Sequence, residues 1–116
     1  MPEMHLGQAV DRAIEDAMAR DETIILIGED APMLRAPLFA RFGADRVLAA
    51  PISESAFFGA AAGAAMAGLR PVVELYMVDF IAVAFDSVLN HIAKLEAFSG
   101  GSWKAPLVIR APSGAG

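Results

Sequence analysis

Cysteine is absent from the 116-residue chain. Its absence excludes disulfides, thiolate metal sites and a cysteine nucleophile, and fits a reducing compartment. Charge is sparse too: 20% of residues are charged, with 9 basic and 14 acidic side chains and a net charge of −5. No Lys/Arg cluster interrupts that acidity, which argues against nucleic acid or an anionic membrane as a partner. An anionic ligand would depend on local donors, such as a helix N-terminus or a metal. Long apolar runs are missing as well. The uncharged stretch Ser55–Leu69 is rich in Ala and Gly and short for a membrane span. The N-terminal Met1-Pro2-Glu3-Met4-His5-Leu6 lacks the basic-then-apolar layout of a leader. These features predict a soluble, cytoplasmic protein. No internal repeat is present, and no G-x-G-x-x-G follows the first predicted strand, so a dinucleotide-binding fold is disfavoured.

What is plentiful is apolar surface, at 56% of residues. A chain this long forms one domain (residues 1–116) and buries roughly two-thirds of its unfolded surface. The apolar excess therefore hints at a partner.

Residues 6–19 have helical periodicity, with Leu6, Val10, Ala13, Ile14 and Ala17 on one face. Thr23–Ile27 is a β-branched, apolar run that suits a strand buried on both sides. Residues 29–37 carry two prolines and no period, which predicts a loop. Pro37 fits the first turn of a short helix to Phe42, closed by Gly43. Arg46–Ala50 is a second strand. Ser53 is placed to cap a helix to Ala67, with Gly68 beyond it. Pro71–Met77 is a third strand, and Asp79–Phe98 reads as the longest helix, with Ile81, Ala84, Phe85, Val88, Ile92 and Leu95 as its stripe. Leu107–Ile109 is a fourth strand. The alternation predicts an α/β fold, a mainly parallel sheet of about four strands with helices on both faces. Ligands bind such sheets at the carboxyl ends of the strands. Those ends fall near 28–30, 51–54, 76–80 and 110–114.

Glu54 lies at one of them, in Pro51-Ile52-Ser53-Glu54-Ser55. It is either an ordinary acid favoured by a helix N-terminus, or a functional carboxylate flanked by apolar Ile52, Phe57 and Phe58, partly desolvated and ready to share a proton. The helix that follows contains Gly59 and Gly63, each costing roughly 0.5–1 kcal/mol against Ala. Spaced by four, they form a flat stripe for close approach, either to the chain's own sheet or to another subunit. Asp86, Asn90 and Lys94 read as a solvated i,i+4 stripe, and His5 and His91 as surface residues.

A longer pattern joins these pieces. Gly28-Glu29-Asp30, Pro51-Ile52-Ser53-Glu54, Gly59 and Gly63, Ala64 to Pro71, Glu74, Asp79-Phe80, Asp86, Asn90, Ala93-Lys94, Ser99-Gly100-Gly101 and Pro106 to Arg110, ending in Pro112-Ser113-Gly114-Ala115-Gly116, stand in order along nearly the whole chain. The chain resembles the β subunit of the thiamin-diphosphate-dependent 2-oxo acid dehydrogenases (pyruvate, branched-chain and acetoin types), in its transketolase-like pyrimidine-binding domain. The resemblance implies that Glu54 hydrogen-bonds N1′ of the cofactor's aminopyrimidine and so activates the thiazolium for attack on a 2-oxo acid. It implies further that Tyr76 and Phe80 line the pyrimidine pocket, with Phe80 stacking on the ring, that Ile52 walls it, and that Glu29 lies nearby. The 59–68 glycine helix would pack between subunits. The diphosphate and its Mg²⁺ would be held by an E1 α-type subunit, and a monovalent cation would use a backbone carbonyl, that of Leu107.

The chain departs from the family pattern in places. The segment Ala31–Ala36 is short, Tyr76 is an unusual residue in its position, and no Gly-Asp-Gly metal motif occurs. The family's catalytic histidine is expected beyond the Pro-x-Gly-x-Gly segment, so the domain is expected to be C-terminally incomplete and inactive alone. Two functions stay open: the pyrimidine-binding part of such a dehydrogenase, or a non-catalytic α/β module of the same descent that self-associates or binds a small ligand.

Overall fold

The computed structural model describes residues 3–114. Four parallel strands, β1 (Ile24–Glu29), β2 (Val47–Ala50), β3 (Arg70–Glu74) and β4 (Val108–Arg110), form a sheet in the order β2-β1-β3-β4. The chain steps from β1 outward to β2 and then returns to the other side of β1 for β3. The crevice between the carboxyl ends of β1 and β3 is therefore a topological switch point, where such sheets take their ligands. The α/β expectation holds.

The two faces of the sheet carry separate cores. Strand side chains alternate, so Leu26, Val47 and Val72 face α1 (Leu6–Arg20) and α3 (Ala36–Phe42), meeting Met18 and Leu38. Val73 and Leu75 face α4 (Glu54–Met66) and meet Phe57, Phe58 and Ala61. Burying a phenyl ring as fully as Phe58 contributes about 1.5–3 kcal/mol. Gly28 pairs with Glu74 in the β1–β3 ladder. A Cβ on Gly28 would lie 2.9 Å from the Glu74 Cβ and closer still to the Glu74 carbonyl oxygen, so glycine is needed there.

Several expectations need correction. The apolar stripe of α1 is only partly buried, with Ile14 packed against the core. Only Met18 is buried within that helix, Leu6 is exposed, and Val10, Ala13, Ile14 and Ala17 line an open groove of about 520 Å³ beside Pro106, Leu107 and Val108. The groove runs between this helix and β4, the edge strand of the sheet. Residues 29–37 are not all loop, because Ala31–Leu34 makes one turn of helix (α2) started by Asp30, which has a positive φ of 49°. Ser53 does hold the N-cap of α4, but its hydroxyl makes no capping bond, and its carbonyl accepts from the amides of Ala56 and Phe57. Gly68, with φ of 102°, turns the chain out of α4 as expected.

The single long helix over 79–98 is the largest departure. The segment divides into a 3₁₀ turn (Val78–Ala82), a π-helical stretch (Ser87–Ile92) and one α-turn, α5 (Leu95–Phe98). The Ser55 hydroxyl donates to the Val83 carbonyl at 2.7 Å and the Ser87 hydroxyl donates to the Ser55 carbonyl at 3.3 Å. These bonds tie the segment to the start of α4 and shift its register. Ser87 turns inward and Phe85 turns out to solvent, while Ala84 stays in the core. The Asp86–Asn90–Lys94 stripe survives, with Asn90 donating to Asp86 at 2.8 Å and Lys94 donating to Asn90 at 2.7 Å. His5 and His91 are exposed, as expected.

Candidate functional site

Parallel pairing brings all four strand ends to one edge. Glu29 closes β1, and the alternation that sends Ile25 and Ile27 toward α4 sends Glu29 the same way. Glu54 opens α4 on that face and is only 6% exposed. The two carboxylates are close enough to feel one another. Burial, and then the nearby Glu54 and Asp30 charges, push the Glu29 carboxyl above its ordinary value. Glu29 Oε1 is buried and has no hydrogen-bond partner. Such an orphaned polar atom marks a place where a proton or a ligand donor is wanted.

Of the remaining expected residues, Tyr76 and Phe80 lie at the same edge of the sheet and Leu107 does not. Tyr76 and Phe80 follow β3 and are both partly open to solvent; the Phe80 amide donates to the Met77 carbonyl at 3.1 Å. Ile52 is 86% exposed, so it shields nothing within the chain; Phe57 and Phe58 are the apolar neighbours that enter the core beside Glu54. Leu107 stands at the amino end of β4, the opposite edge of the sheet from Glu54. No three His, Asp or Glu side chains among the described residues are grouped to hold a metal ion. The pattern Pro112–Gly116 is described only as far as Gly114; Ala115 and Gly116 lie outside the described residues.

One charged group was not legible in the sequence. Glu74, at the end of β3, is 2% exposed and points to the α1 side, away from Glu54. Arg35 Nη2 donates to its Oε1 at 2.5 Å, and Arg110 Nη1 stands 3.4 Å from its Oε2. Asp11 completes the cluster, 2.5 Å from Arg110 and 3.6 Å from Arg35. These residues are scattered along the chain, and the one hint in the sequence is a glutamate set inside the apolar strand run Val72-Val73-Glu74-Leu75.

The glycine stripe also has a definite place. Ala61, Ala62 and Ala65 pack inward, whereas Cβ atoms at Gly59 and Gly63 would meet nothing within 4 Å. The stripe faces a groove of about 500 Å³ shared with Asn90, His91, Leu95 and Phe98. Tight packing of these glycines on the chain's own sheet is thereby excluded.

A four-stranded parallel sheet with helices on both faces and two carboxylates at its carboxyl edge defines the class, an open α/β domain of the kind that takes ligands at its switch point. The chain belongs to the family described as "Transketolase, pyrimidine binding domain", whose sequence profile matches residues 2–116. It is 39% identical over 122 residues to the pyruvate dehydrogenase E1 component subunit beta of Cyanidium caldarium, a match covering 100% of this chain and 37% of that protein. It is 40% identical over 124 residues to the acetoin:2,6-dichlorophenolindophenol oxidoreductase subunit beta of Cupriavidus necator (93% of this chain, 36% of that protein). It is 36% identical over 122 residues to the 2-oxoisovalerate dehydrogenase subunit beta of Bacillus subtilis (100% of this chain, 37% of that protein). The chain thus spans little more than a third of the length of these relatives.

Proposed function

We propose that this chain is the pyrimidine-binding part of a thiamin-diphosphate-dependent 2-oxo acid dehydrogenase, with Glu54 as the acid that meets the cofactor. One observation carries the reading. Glu54 is a buried carboxylate at the switch-point edge, facing a second carboxyl, Glu29, that is held toward its protonated form. The family depends on thiamin diphosphate, and an aminopyrimidine offers both donors and acceptors. The orphaned Glu29 Oε1 and the open faces of Tyr76 and Phe80 fit such a ring. Glu54 would hold a proton at the ring nitrogen, Phe80 would stack on the ring, and Tyr76 and Ile52 would wall it. When bound, the cofactor supplies the electron sink for decarboxylating a 2-oxo acid. Glu54, for its part, keeps the proton inventory at the pyrimidine, and the burial around it excludes water.

The diphosphate and Mg²⁺ are assigned to an α-type partner subunit, since the sequence has no Gly-Asp-Gly motif. The beta subunits it resembles are named as parts of larger enzymes, in keeping with such a partner. The Leu107 carbonyl, remote from Glu54, remains the candidate ligand for a monovalent cation. Calorimetric titration of thiamin diphosphate, with and without an α-type subunit, tests the assignment. Binding that requires both chains supports it, and no binding in either case overturns it.

A second reading rests on the glycine stripe. The open face at Gly59 and Gly63 supports a surface for subunit contact, with an α-type subunit or a second copy. A chain that associates through that face without binding cofactor would be the non-catalytic module.

A further inference from the structure

The mechanism above makes no use of the most deeply buried charge in the chain, Glu74. It lies on the opposite side of β3 from the carboxylate pair, yet its neighbours lead to three of the four strand ends at that edge, those of β1, β3 and β4. Arg35, its closest partner, closes the segment that follows Glu29 and Asp30. Arg110, its second, ends β4 and leads into Pro112. Glu74 itself precedes Tyr76 by two residues. Backbone bonds continue the same ties: the Leu75 amide donates to the Arg110 carbonyl at 2.8 Å and the Val78 amide to the Pro112 carbonyl at 3.0 Å. Asp11 of α1 sits between the two guanidinium groups and balances them. Two positive and two negative side chains thus close a neutral cluster beneath the switch point.

A buried ion cluster adds little net stability over apolar side chains of equal volume. What it adds is fixed geometry, because Arg35 Nη2 donates to Glu74 Oε1 and Arg110 Nη1 to Asp11, while Glu74 Oε2 and Arg35 Nε are buried without a hydrogen bond and are held only by the ion-pair contacts to Arg110 and Asp11. We propose that Glu74 is a positioning residue: with Arg35 and Arg110 it locks the carboxyl ends of β1, β3 and β4 together, and so holds Tyr76 and Phe80 in place beside Glu54. The inference rests on the proposed cofactor site for its purpose, but not for its test.

The test compares amide hydrogen exchange at Val78 and Leu75 with that at Leu26, whose amide is bonded to the Arg46 carbonyl in the β1–β2 pair. It uses the full chain and its Glu74→Gln and Arg35→Gln variants. Glu74→Gln keeps the shape and removes the charge. The expected result is about a tenfold or greater loss of protection at Val78 and Leu75 with little change at Leu26, the signature of local opening. Parallel loss at all three amides, as general destabilisation gives, overturns the proposal, and so does no loss at any of them. If Glu74→Gln does not fold, Arg35→Gln carries the same comparison, since Arg35 is partly exposed and Glu74 keeps Arg110. In a second arm, thiamin diphosphate affinity in the presence of an α-type subunit falls about tenfold in Glu74→Gln; unchanged affinity contradicts the positioning role. Absence of cofactor binding in the unmodified chain counts against the cofactor reading alone and leaves the exchange result to decide the cluster.

Discussion

Gly28 and Glu74 are register partners in β1 and β3, and the Glu74 Cβ would stand 2.9 Å from any Cβ placed on Gly28. A side chain on Gly28 would have no room against β3 at the carboxyl end of the β1–β3 pair. Gly28→Ala must push β3 away, because the nearest obstacle includes backbone that cannot rotate aside. Overpacking of this kind costs about 1–3 kcal/mol. Urea unfolding of Gly28→Ala is expected to show a loss of that order, and an unchanged midpoint would contradict the strand geometry.

Glu29 leads to a prediction with a definite sign. Its folded-state pKa lies above the ordinary value near 4.5, so the folded chain holds that proton more tightly than the unfolded chain. The stabilising contribution is complete at low pH and is lost as pH rises through the raised value. Glu29→Gln, which is neutral at every pH, is expected to melt above the unmodified chain at pH 7. The gap should close by about pH 3, well below the ordinary value, where Glu29 is protonated in both states. Thermal melts across that range check it; a pH-independent difference contradicts the burial and charge crowding assigned to Glu29.

Gly59 and Gly63 separate a fold requirement from an interface requirement. Nothing in the chain occupies the space a side chain would take at either position. Gly63→Ala should therefore stabilise α4 by about 0.5–1 kcal/mol, visible as a small rise in melting temperature. If the stripe lies against a subunit, the same change weakens association in sedimentation or in titration with an α-type partner. A stabilised chain with unaltered association would remove the stripe from the interface.

Much of this architecture was legible because period and punctuation agree. The β-branched run before Gly28, the prolines at 37 and 51, and the Ala-rich run ended by Gly68 fix two strands and two helices within a residue or two. Glu54 was legible because it follows a strand and opens a helix. The 79–98 segment was not, since its apolar spacing suits a continuous helix. The break comes from Ser55 and Ser87, which bond across to a distant element and leave no local signature. The Glu74 cluster was hidden for the same reason, with 39 residues separating Glu74 from Arg35 and 99 separating Arg110 from Asp11. The uncovered stripe of α1 shows the limit of amphipathicity, which tells that a face is apolar but not what lies against it.

The role of Glu54 is the centre of the account, and Glu54→Gln tests it with the least disturbance of shape. Gln keeps the size and burial but cannot exchange a proton with a ring nitrogen. Loss of one charge-assisted hydrogen bond corresponds to about 1.5–3 kcal/mol, or roughly 10–100-fold in affinity. Titration of thiamin diphosphate into the chain paired with an α-type subunit should show that loss in Glu54→Gln while its melting curve stays close to the unmodified chain's. Equal affinity in the two proteins would contradict the assignment of Glu54 as the cofactor-facing acid.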